Sequence, residues 1–449
     1  MAIYSSYLGS SFSNEKMHEV FSDLGRFQSW LDVEVALAKV QGQLGIIPNS
    51  ASEEISKIGK LENLDIVKMK EQYIAVGFPI LPFVKQLQAL CDSESAKWVH
   101  WGATTQDVID TGMVLQIKSA IDILESDLIA ISKSIYELTE QHKHTVMPGR
   151  TFKQHAAPIT FGFKAAVWLD EVLRHLERLK SIKANTLTCS YGGAVGNLAA
   201  LDDKGIEVLD SLAVELELHT PSITWHSARD SFTELVFWLS LSSATLSKIA
   251  SEITTLMSSE INEVREPYQE GRGASSAMPQ KRNPISCPIV IANATRLKEL
   301  SSSQMAAMNQ DHERALAGQS LEWLVIPDAF LLASGVFMRM KEVLSDLVVD
   351  ETNMQRNLGL GNGLIMSEAV MTGLAKKIGR VDAHKLVTAA ASKAIEKNLS
   401  LKESLLSFDK VTSTLSLEEI AELFNANNYL GSNDQMISRV QCKFNQADL

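Results

Sequence analysis

Apolar residues recur at helical spacing through the middle of the chain. Between residues 114 and 138 they step alternately by three and four positions, which places them on one face of a helix. At about 1.5 Å per residue, such a face extends over roughly 35 Å or more. The positions of this apolar seam are Val114, Ile117, Ile121, Leu124, Leu128, Ile131, Ile135 and Leu138.

The same rhythm partly returns over residues 161–182 and 235–256, and further helical patterns cover 289–308 and 323–344. Long helices must bury their seams against one another, and they do so as a bundle. Strand-like alternation is nearly absent. The pattern therefore predicts an all-α fold with a central bundle of long helices.

Shorter helical patterns flank this centre. One runs from Met17 to Leu44, others cover 52–61 and the stretch from 65 past Tyr73, and Gly77-Phe78-Pro79 with Pro82 interrupts them. After about residue 350 the patterns are short and divided by glycines. We therefore expect three helical domains: N-terminal over 1–111, a central long-helix bundle over 112–350 that carries a polar loop, and C-terminal over 351–449.

The charge and the cysteines narrow the function classes. The chain has 449 residues and a net charge of -12 without a long basic run, which argues against nucleic-acid binding but permits an anionic small molecule where cations gather locally. The four cysteines are far apart and lack metal-ligand spacing. No signal or membrane segment is recognisable, so we expect a cytoplasmic protein with no metal, cofactor, nucleic acid or membrane partner.

Four breaks between the long helices carry more polar groups than a turn needs. Each could be helix capping, but together they supply hydroxyls, amides, imidazoles and guanidinium groups, which suit a small polyanion. A proton carrier for a carbon acid is among them. The breaks are His100 to Asp107, Gly149 to His155, Trp225 to Asp230 and Gly271 to Pro284.

The last of these breaks carries a specific motif. Ser275-Ser276-Ala277-Met278-Pro279-Gln280-Lys281-Arg282-Asn283-Pro284 resembles the SSxMPxKxNP motif of the fumarase/aspartase superfamily. The segments from Gly102 to Asp107 and from Gly149 to Pro158 resemble its other two substrate-binding regions, in the right order. The resemblance covers nearly the whole chain. It implies a homotetrameric helical core, active sites shared between subunits, and reversible elimination or addition beside a carboxylate.

The resemblance also implies residue roles. Ser275 would be the acid/base at carbon, while Lys281 and Asn283 would hold the carboxylate on which negative charge develops. Ser276 is expected to shape the loop and Met278 to anchor it. The implied substrate-binding set is His100, Thr104, Thr105, Gln106, Arg150, Thr151, Gln154, His155, Arg229, Ser276, Met278, Arg282 and Arg314.

Phe152 distinguishes branches of the superfamily. Adenylosuccinate lyases carry a proton-donating histidine at this position, and a phenyl ring cannot pass protons. Bacterial 3-carboxy-cis,cis-muconate cycloisomerases carry a tryptophan there and resemble this chain around Trp98 to Ala103, Trp225 to Asp230 and His312 to Trp323. Their substrate is a tricarboxylate whose own carboxylate adds to its double bond, so no leaving group needs a proton.

The resemblance thus favours a cycloisomerase that converts 3-carboxy-cis,cis-muconate to 4-carboxymuconolactone in aromatic degradation, with Arg150, Arg229, Arg282 and Arg314 as carboxylate clamps. Arg314 could instead form an ion pair with Glu313 or Glu322. Departures such as Ala274 and Gln280 leave open a paralogue acting on another polycarboxylate. Two alternatives are an adenylosuccinate lyase-like C–N lyase that releases fumarate, and a structural protein that keeps only the scaffold.

Overall fold

The structure is a computed structural model that describes residues 2–5, 7–268, 271–274, 277–278, 280–315 and 317–447. These residues are mostly helical, which confirms the predicted fold class. The α-helices in chain order are α1 Gly9–Phe12, α2 Glu15–Val20, α3 Asp23–Gln43, α4 Asn49–Ile58, α5 Ile66–Val76, α6 Ile80–Leu90, α7 Thr105–Gln141, α8 Phe161–Thr186, α9 Gly205–Glu215, α10 Asp230–Leu256, α11 Ser286–Ala307, α12 Gly318–Ser345, α13 Glu351–Gly359, α14 Ser367–Ile378, α15 Arg380–Lys397, α16 Leu401–Leu406, α17 Asp409–Thr412, α18 Leu417–Leu423 and α19 Asn433–Gln446.

The long helices lie where the apolar rhythm predicts them. Helix α7 has 37 residues, and every member of its seam is at most 6% exposed, so the seam is fully used for packing. At the N-terminus the single predicted helix is wrong, because the chain breaks between α2 and α3. Ser22 causes the break: its Oγ accepts a hydrogen bond from the N–H of Gly25 at 3.0 Å and caps α3.

Two further expectations need correction. Pro82 does not interrupt a helix but lies in the first turn of α6, where a missing N–H costs no helical hydrogen bond. The segment from Gly149 to Pro158 is not a loop but part of a β-hairpin. The described strands are β1 Val146–Thr151 and β2 Gln154–Thr160, which form this antiparallel hairpin, and β3 Val264–Arg265 and β4 Val348–Val349, which pair with each other.

The chain divides into two compact units, each built from three separate segments. Unit 1 comprises Met1–Asp127, His175–Ser247 and Ile289–Met338, and unit 2 comprises Leu128–Arg174, Lys248–Pro288 and Arg339–Leu449. The sequence-based division at residues 111 and 350 stays a prediction. Helix α12 is long and apolar enough to cross a membrane, but 72% of its most apolar stretch is buried inside the protein, as in a core helix.

Each unit has its own apolar core. In unit 1, Trp30 and Leu31 of α3 pack with Phe83 of α6 and Ile109 of α7. In unit 2, the small helices α14 to α18 enclose a core with the members Val370, Leu374, Val387, Leu401, Leu405 and Ile420. The candidate residues lie outside these cores: in unit 1 on the turn before α7, and in unit 2 on the β1–β2 hairpin and in the loop that precedes α11.

Candidate active site

The first predicted region is a tight turn before α7 in unit 1. His100 and Gly102 both have positive φ, 64° and 73°. A Cβ on Gly102 would lie 3.0 Å from the Tyr191 hydroxyl and from Leu201, so glycine is required here for its conformation and for its size. The turn brings Thr104 and Thr105 to the start of a long helix, where free N–H groups favour an anion.

Asp107 holds this turn in place. Its carboxylate, 1% exposed, accepts hydrogen bonds from the N–H groups of Thr104 (2.9 Å), Gly192 (2.9 Å) and Gly193 (3.0 Å). His226 Nε2 lies 2.7 Å from the same carboxylate. Asp107 therefore joins three segments that are distant in sequence. Sequence patterns assign no role to His226 or to the pair Gly192 and Gly193. The only signal was the spacing of Thr104 and Asp107, which is typical of helix capping.

Gln106 and Arg314 are joined by a hydrogen bond in unit 1. The buried Gln106 amide donates to Asp110 Oδ2 at 2.9 Å and to the His226 carbonyl at 2.8 Å, and its oxygen accepts from Arg314 Nε at 3.0 Å. Arg314 Nη2 donates to the Ala194 carbonyl at 3.0 Å. Arg314 is exposed and bound by neutral oxygens, so its positive charge is not matched by either of these acceptors.

Arg229 lies in a buried ionic cluster rather than on a surface. Its Nη1 and Nη2 donate to Asp110 at 2.8 and 3.1 Å, and its Nε donates to Glu322 at 3.0 Å. The guanidinium carbon lies 5.0 Å from the Trp225 ring and 4.9 Å from the Phe232 ring. Burial raises the pKa of the Glu322 carboxyl, although Arg229 works in the opposite direction. Glu322 thus contacts Arg229 and not Arg314, which differs from the ion pair considered for Arg314.

The second predicted region is the β1–β2 hairpin of unit 2. Its two-residue turn is Phe152-Lys153, with φ of 49° and 64°, and the Phe152 ring is 100% exposed. Thr151 and Gln154 face each other across the strands and are exposed. Positive φ at both turn positions is typical of a type I′ hairpin, which usually prefers Asn-Gly. The hairpin therefore presents a phenyl ring at its tip.

Arg150 and His155 lie on opposite strands of the same hairpin. Arg150 forms a bidentate ion pair with Glu263, at 2.8 and 2.7 Å, and Glu263 is fully buried. Asn357 Nδ2 donates to the same carboxylate at 2.7 Å. Burial and the charge of Arg150 lower the pKa of His155, so this imidazole is neutral at pH 7.

The third region is the loop from Gly271 to Pro284 in unit 2, called the serine loop below. Ser275 and Ser276 lie outside the described residues. Met278, Lys281 and Arg282 are exposed, and the Arg282 guanidinium lies 4.1 Å from the centre of the Tyr268 ring. Asn283 donates through both its backbone N–H and its Nδ2 to the Gly273 carbonyl, each at 3.1 Å. Asn283 thus closes the base of the loop.

Glu266 fixes the loop where it joins α11. Its carboxylate accepts from the N–H groups of Ile285 (2.9 Å), Ser286 (3.1 Å) and Cys287 (2.8 Å). These N–H groups belong to the start of a helix and have no partner within it, so the carboxylate satisfies them and complements the helix dipole. Arg272 contacts both Ser286 Oγ and Glu342. No sequence pattern indicates this role of Glu266.

Each unit therefore gathers part of the predicted set. Unit 1 holds His100, Thr104, Thr105, Gln106, Arg229 and Arg314 on connected turns. Unit 2 holds the hairpin residues and the described residues of the serine loop. Among the predicted cations, Arg150 and Arg229 are matched by protein carboxylates, while Lys281, Arg282 and Arg314 are exposed.

Comparison with known families agrees with this arrangement. A family model described as Lyase matches residues 11–298, and a model described as the C-terminus of adenylosuccinate lyase matches residues 363–440. The chain belongs to the fumarase/aspartase superfamily. The resemblance of the serine loop is thereby confirmed, and the chain is an enzyme of this superfamily.

Superfamily members with several activities are similar to this chain over nearly its full length. The 3-carboxy-cis,cis-muconate cycloisomerase of Acinetobacter baylyi is 38% identical, over 96% of this chain and 97% of that protein. Trans-aconitate decarboxylase 1 of Mycosarcoma maydis is 38% identical, over 96% and 88%. The N-acetyl-S-(2-succino)cysteine lyase of Dickeya dadantii is 35% identical, over 96% and 95%.

A solved structure of the superfamily is similar to this chain in its fold. The 3-carboxy-cis,cis-muconate lactonizing enzyme of Pseudomonas putida has a TM-score of 0.95 and 36% identity, over 99% of this chain and 100% of that one. The helical fold is therefore that of the superfamily.

Proposed function

We propose that this enzyme acts on a tricarboxylate, and that its reaction is the cycloisomerisation of 3-carboxy-cis,cis-muconate to 4-carboxymuconolactone. Each of the compounds in the relatives' names, the carboxymuconate, trans-aconitate and N-acetyl-S-(2-succino)cysteine, carries three carboxylates. Exposed cations match that charge: Lys281, Arg282 and Arg314. A homotetramer with shared active sites and a cytoplasmic location belong to the same proposal.

In the proposed reaction one substrate carboxylate oxygen attacks the conjugated double bond and closes the lactone. The electron pair moves onto the neighbouring carboxylate, and Ser275 donates its hydroxyl proton to the adjacent carbon. Solvent then returns a proton to the serine. The dianionic aci-carboxylate needs fixed donors more than any other group. Lys281 and the second Nδ2 hydrogen of Asn283, the one that does not bind the Gly273 carbonyl, would supply them.

The remaining predicted residues divide into two roles. His100, Thr104, Thr105 and Gln154 have donors at partly or fully exposed positions and would bind the other carboxylates. Gln106, Arg150 and Arg229 would support the site rather than contact substrate, because protein oxygens already bind their donors. If Arg150 or Arg229 turned from its buried carboxylate toward a substrate, that carboxylate would stay buried without its cation, which would cost free energy.

The observation that carries the reaction type is the Phe152 ring at the hairpin tip. Expelling an amine requires a proton donor, since an amine is a poor leaving group without protonation. A phenyl ring has no proton to give, and the nearby His155 has a lowered pKa. An intramolecular addition expels nothing, so it needs no acid at this position.

Elimination of a thiol is the second candidate, and the lyase of Dickeya dadantii supports it. A thiol has a pKa of about 8.5, so a thiolate leaves with little help from an acid, whereas an unprotonated amine would have to leave as a far more basic amide anion. Phe152 is compatible with this reaction as well. It is less compatible with the adenylosuccinate lyase-like C–N elimination.

The test is an assay of purified protein with the three tricarboxylates. Loss of the diene absorbance of 3-carboxy-cis,cis-muconate is the expected result. Fumarate release from N-acetyl-S-(2-succino)cysteine, with an unchanged muconate, would replace the first proposal by the second. Release of carbon dioxide from trans-aconitate alone, or turnover of none of the three by folded protein, would reject both.

Replacing the first serine of the pair tests the mechanism. We expect Ser275→Ala to lower kcat by at least about 10³-fold, because the proton at carbon loses its carrier. Ser276→Ala is the matched control and should retain most of the turnover. Assembly of both variants is checked by size-exclusion chromatography. Substantial activity of Ser275→Ala would assign the proton to another residue.

A further inference from the structure

A buried carboxylate on α3 contacts the histidine of the first region. Glu34 is 1% exposed, and its Oε1 lies 2.5 Å from Nδ1 of His100. Isolated carboxylates are rarely buried, because removing the charge from water is costly unless a partner donates a hydrogen bond. The contact joins residues 66 positions apart, so it is made by the fold and not by local sequence.

The turn that carries His100 is held from both sides. His100 has a positive φ of 64°, which a residue with a side chain rarely adopts. The carbonyl of the next residue, Trp101, accepts from Gln41 Nε2 at 2.8 Å and from the Tyr191 hydroxyl at 3.2 Å. These contacts hold the strained turn, and they fix the imidazole against Glu34.

The outer edge of the imidazole is open. The His100 side chain is 18% exposed, and no hydrogen bond to its Nε2 is formed within the described part of the chain. Nδ1 is committed to Glu34. Nε2 is therefore the atom with which His100 can meet a ligand, beside the threonines of the first region.

Two acids act on this imidazole, and a phenol lies against the same turn, where its hydroxyl binds the Trp101 carbonyl. Glu34 faces it from α3, and Asp107 acts on it from α7. Tyr191 carries the third titratable group of the cluster, and burial raises its pKa, so it stays neutral. Burial works to lower the pKa of His100, but the charge and hydrogen bond of Glu34, with the charge of Asp107, outweigh this and raise the pKa.

We propose that Glu34 is a positioning residue that fixes His100 as an imidazolium whose Nε2–H binds a carboxylate of the substrate. The proposal rests on the polycarboxylate function proposed above. It adds a residue outside the three superfamily regions, and it defines the protonation state in which the first region binds its ligand.

The two protonation states of His100 differ sharply toward a carboxylate. As an imidazolium, His100 donates Nδ1–H to Glu34 and Nε2–H to the ligand. When His100 loses one proton, its imidazole keeps the Nδ1–H that it donates to Glu34. Nε2 then presents a lone pair, which repels the carboxylate. Substrate binding is therefore present below the pKa of His100 and is lost as the pH rises through it.

The variant Glu34→Gln separates the effect of the Glu34 charge from the effect of the hydrogen bond that positions His100. The amide oxygen can still accept from Nδ1–H, but the negative charge is gone, so burial is left to lower the pKa of His100. We expect KM to rise about tenfold per pH unit above that pKa, and the rise to begin at lower pH in the variant. At neutral pH the variant should therefore have the higher KM, with kcat little changed.

The matched control is Asp32→Asn, which removes a carboxylate from the same helix. Asp32 is exposed and accepts from Gln28 Nε2 at 2.8 Å. The dependence of KM on pH in Asp32→Asn should be the same as in the wild type. Glu34→Asp retains the charge and should restore part of the profile. In a His100→Asn background, Glu34→Gln should change nothing further.

A second measurement needs no turnover. Diethylpyrocarbonate modifies neutral imidazoles, so its rate at His100 against pH, followed by peptide mass spectrometry, reports the pKa of that residue in the intact enzyme. We expect the midpoint to fall in Glu34→Gln and to stay unchanged in Asp32→Asn. If Glu34→Gln does not fold, the wild-type midpoint and Glu34→Asp carry the test.

The outcomes separate this inference from the proposed function. An unchanged His100 midpoint in Glu34→Gln, or a wild-type midpoint below the ordinary value near 6.5, overturns the inference even if the enzyme is active. A shifted midpoint without turnover of any tricarboxylate supports the pairing of Glu34 and His100 and rejects the substrate. A shifted midpoint with an unmoved KM profile removes His100 from binding.

Discussion

At the scale of single residues, the structure separates cations that look alike in the sequence. Arg150 and Arg229 are paired with the buried carboxylates of Glu263, Asp110 and Glu322. Arg314 contacts only neutral oxygens among the acceptors described above. A clamp for substrate needs a positive charge that its protein partners have not already matched, so Arg314 and the loop cations Lys281 and Arg282 fit that function better.

Breaking the buried cluster should destabilise the protein strongly. Arg229→Met leaves Asp110 and Glu322 buried without their cation, and we expect the free energy of unfolding in urea to fall by about 3–5 kcal/mol at neutral pH. Burial raises the pKa of Glu322, and the loss of Arg229 removes the charge that opposes this rise, so the folded-state pKa of Glu322 lies above the unfolded value. The cost of burying this carboxylate is therefore present at neutral pH and is relieved as the pH falls and Glu322 takes up a proton.

Arg174→Met provides the comparison for that prediction. Arg174 is exposed on α8 and pairs with its helical neighbour Asp170, so its loss should cost about 1 kcal/mol or less. Equal losses for the two variants, or a loss for Arg229→Met that does not shrink at low pH, would contradict the buried-cluster interpretation.

At the scale of elements, the apolar seam of α7 was readable because its eight positions follow helical period without interruption. The β1–β2 hairpin could not be predicted from the sequence pattern. Its turn residues, Phe152 and Lys153, lack the Asn-Gly signal, and its strands hold Pro148 and Pro158. Cross-strand pairing stabilises it, and pairing leaves little trace in single-residue preferences.

Glu266 should determine both the stability and the position of the serine loop. Glu266→Gln keeps one acceptor oxygen for three N–H groups and removes the charge from the start of α11, so we expect a loss of about 1–2 kcal/mol in urea unfolding. We also expect kcat to fall about tenfold or more, because the loop that carries Ser275 and Lys281 is fixed less firmly.

Glu260→Gln is a suitable control, since Glu260 is exposed six positions earlier in the chain and its substitution removes the same charge. It should leave stability and kcat near wild type. If Glu266→Gln lowers the stability but leaves kcat unchanged, the carboxylate caps α11 without directing the loop.

At the scale of the whole molecule, the proposed shared active sites predict complementation between inactive variants. One variant carries Ser275→Ala, and the other carries Thr104→Ala with Thr105→Ala. Each should be inactive alone. After joint unfolding and refolding, mixed assemblies should recover activity, because some sites combine an intact serine loop with an intact first region from another chain.

Ser275→Ala mixed with Lys281→Ala is the negative control, since both changes damage the same loop and no mixed site is intact. Recovery of activity in this control would mean that mixing restores activity without an intact serine loop. Recovery in the first mixture would then not be evidence for shared sites. Absence of recovery in the first mixture, with mixed assemblies present by native mass spectrometry, would place each site within one chain.

The sequence by itself determined the helical fold and the superfamily. The seam of α7 carries the fold because burial of one helix face imposes a period on local residues. The serine loop carries the superfamily because its residue types follow the spacing of the SSxMPxKxNP motif. In the proposed function, Phe152 argues only against reactions that need a proton donor at its position, because a phenyl ring cannot donate a proton.

Only the tertiary structure decided which polar groups remain available for a ligand. Arg229 and Glu322 are 93 positions apart, Gln106 and Arg314 are 208 apart, and Glu34 and His100 are 66 apart. No local pattern encodes such contacts. An ionisable group changes its charge, donors and pKa according to what packs against it, and that packing exists only in the folded chain.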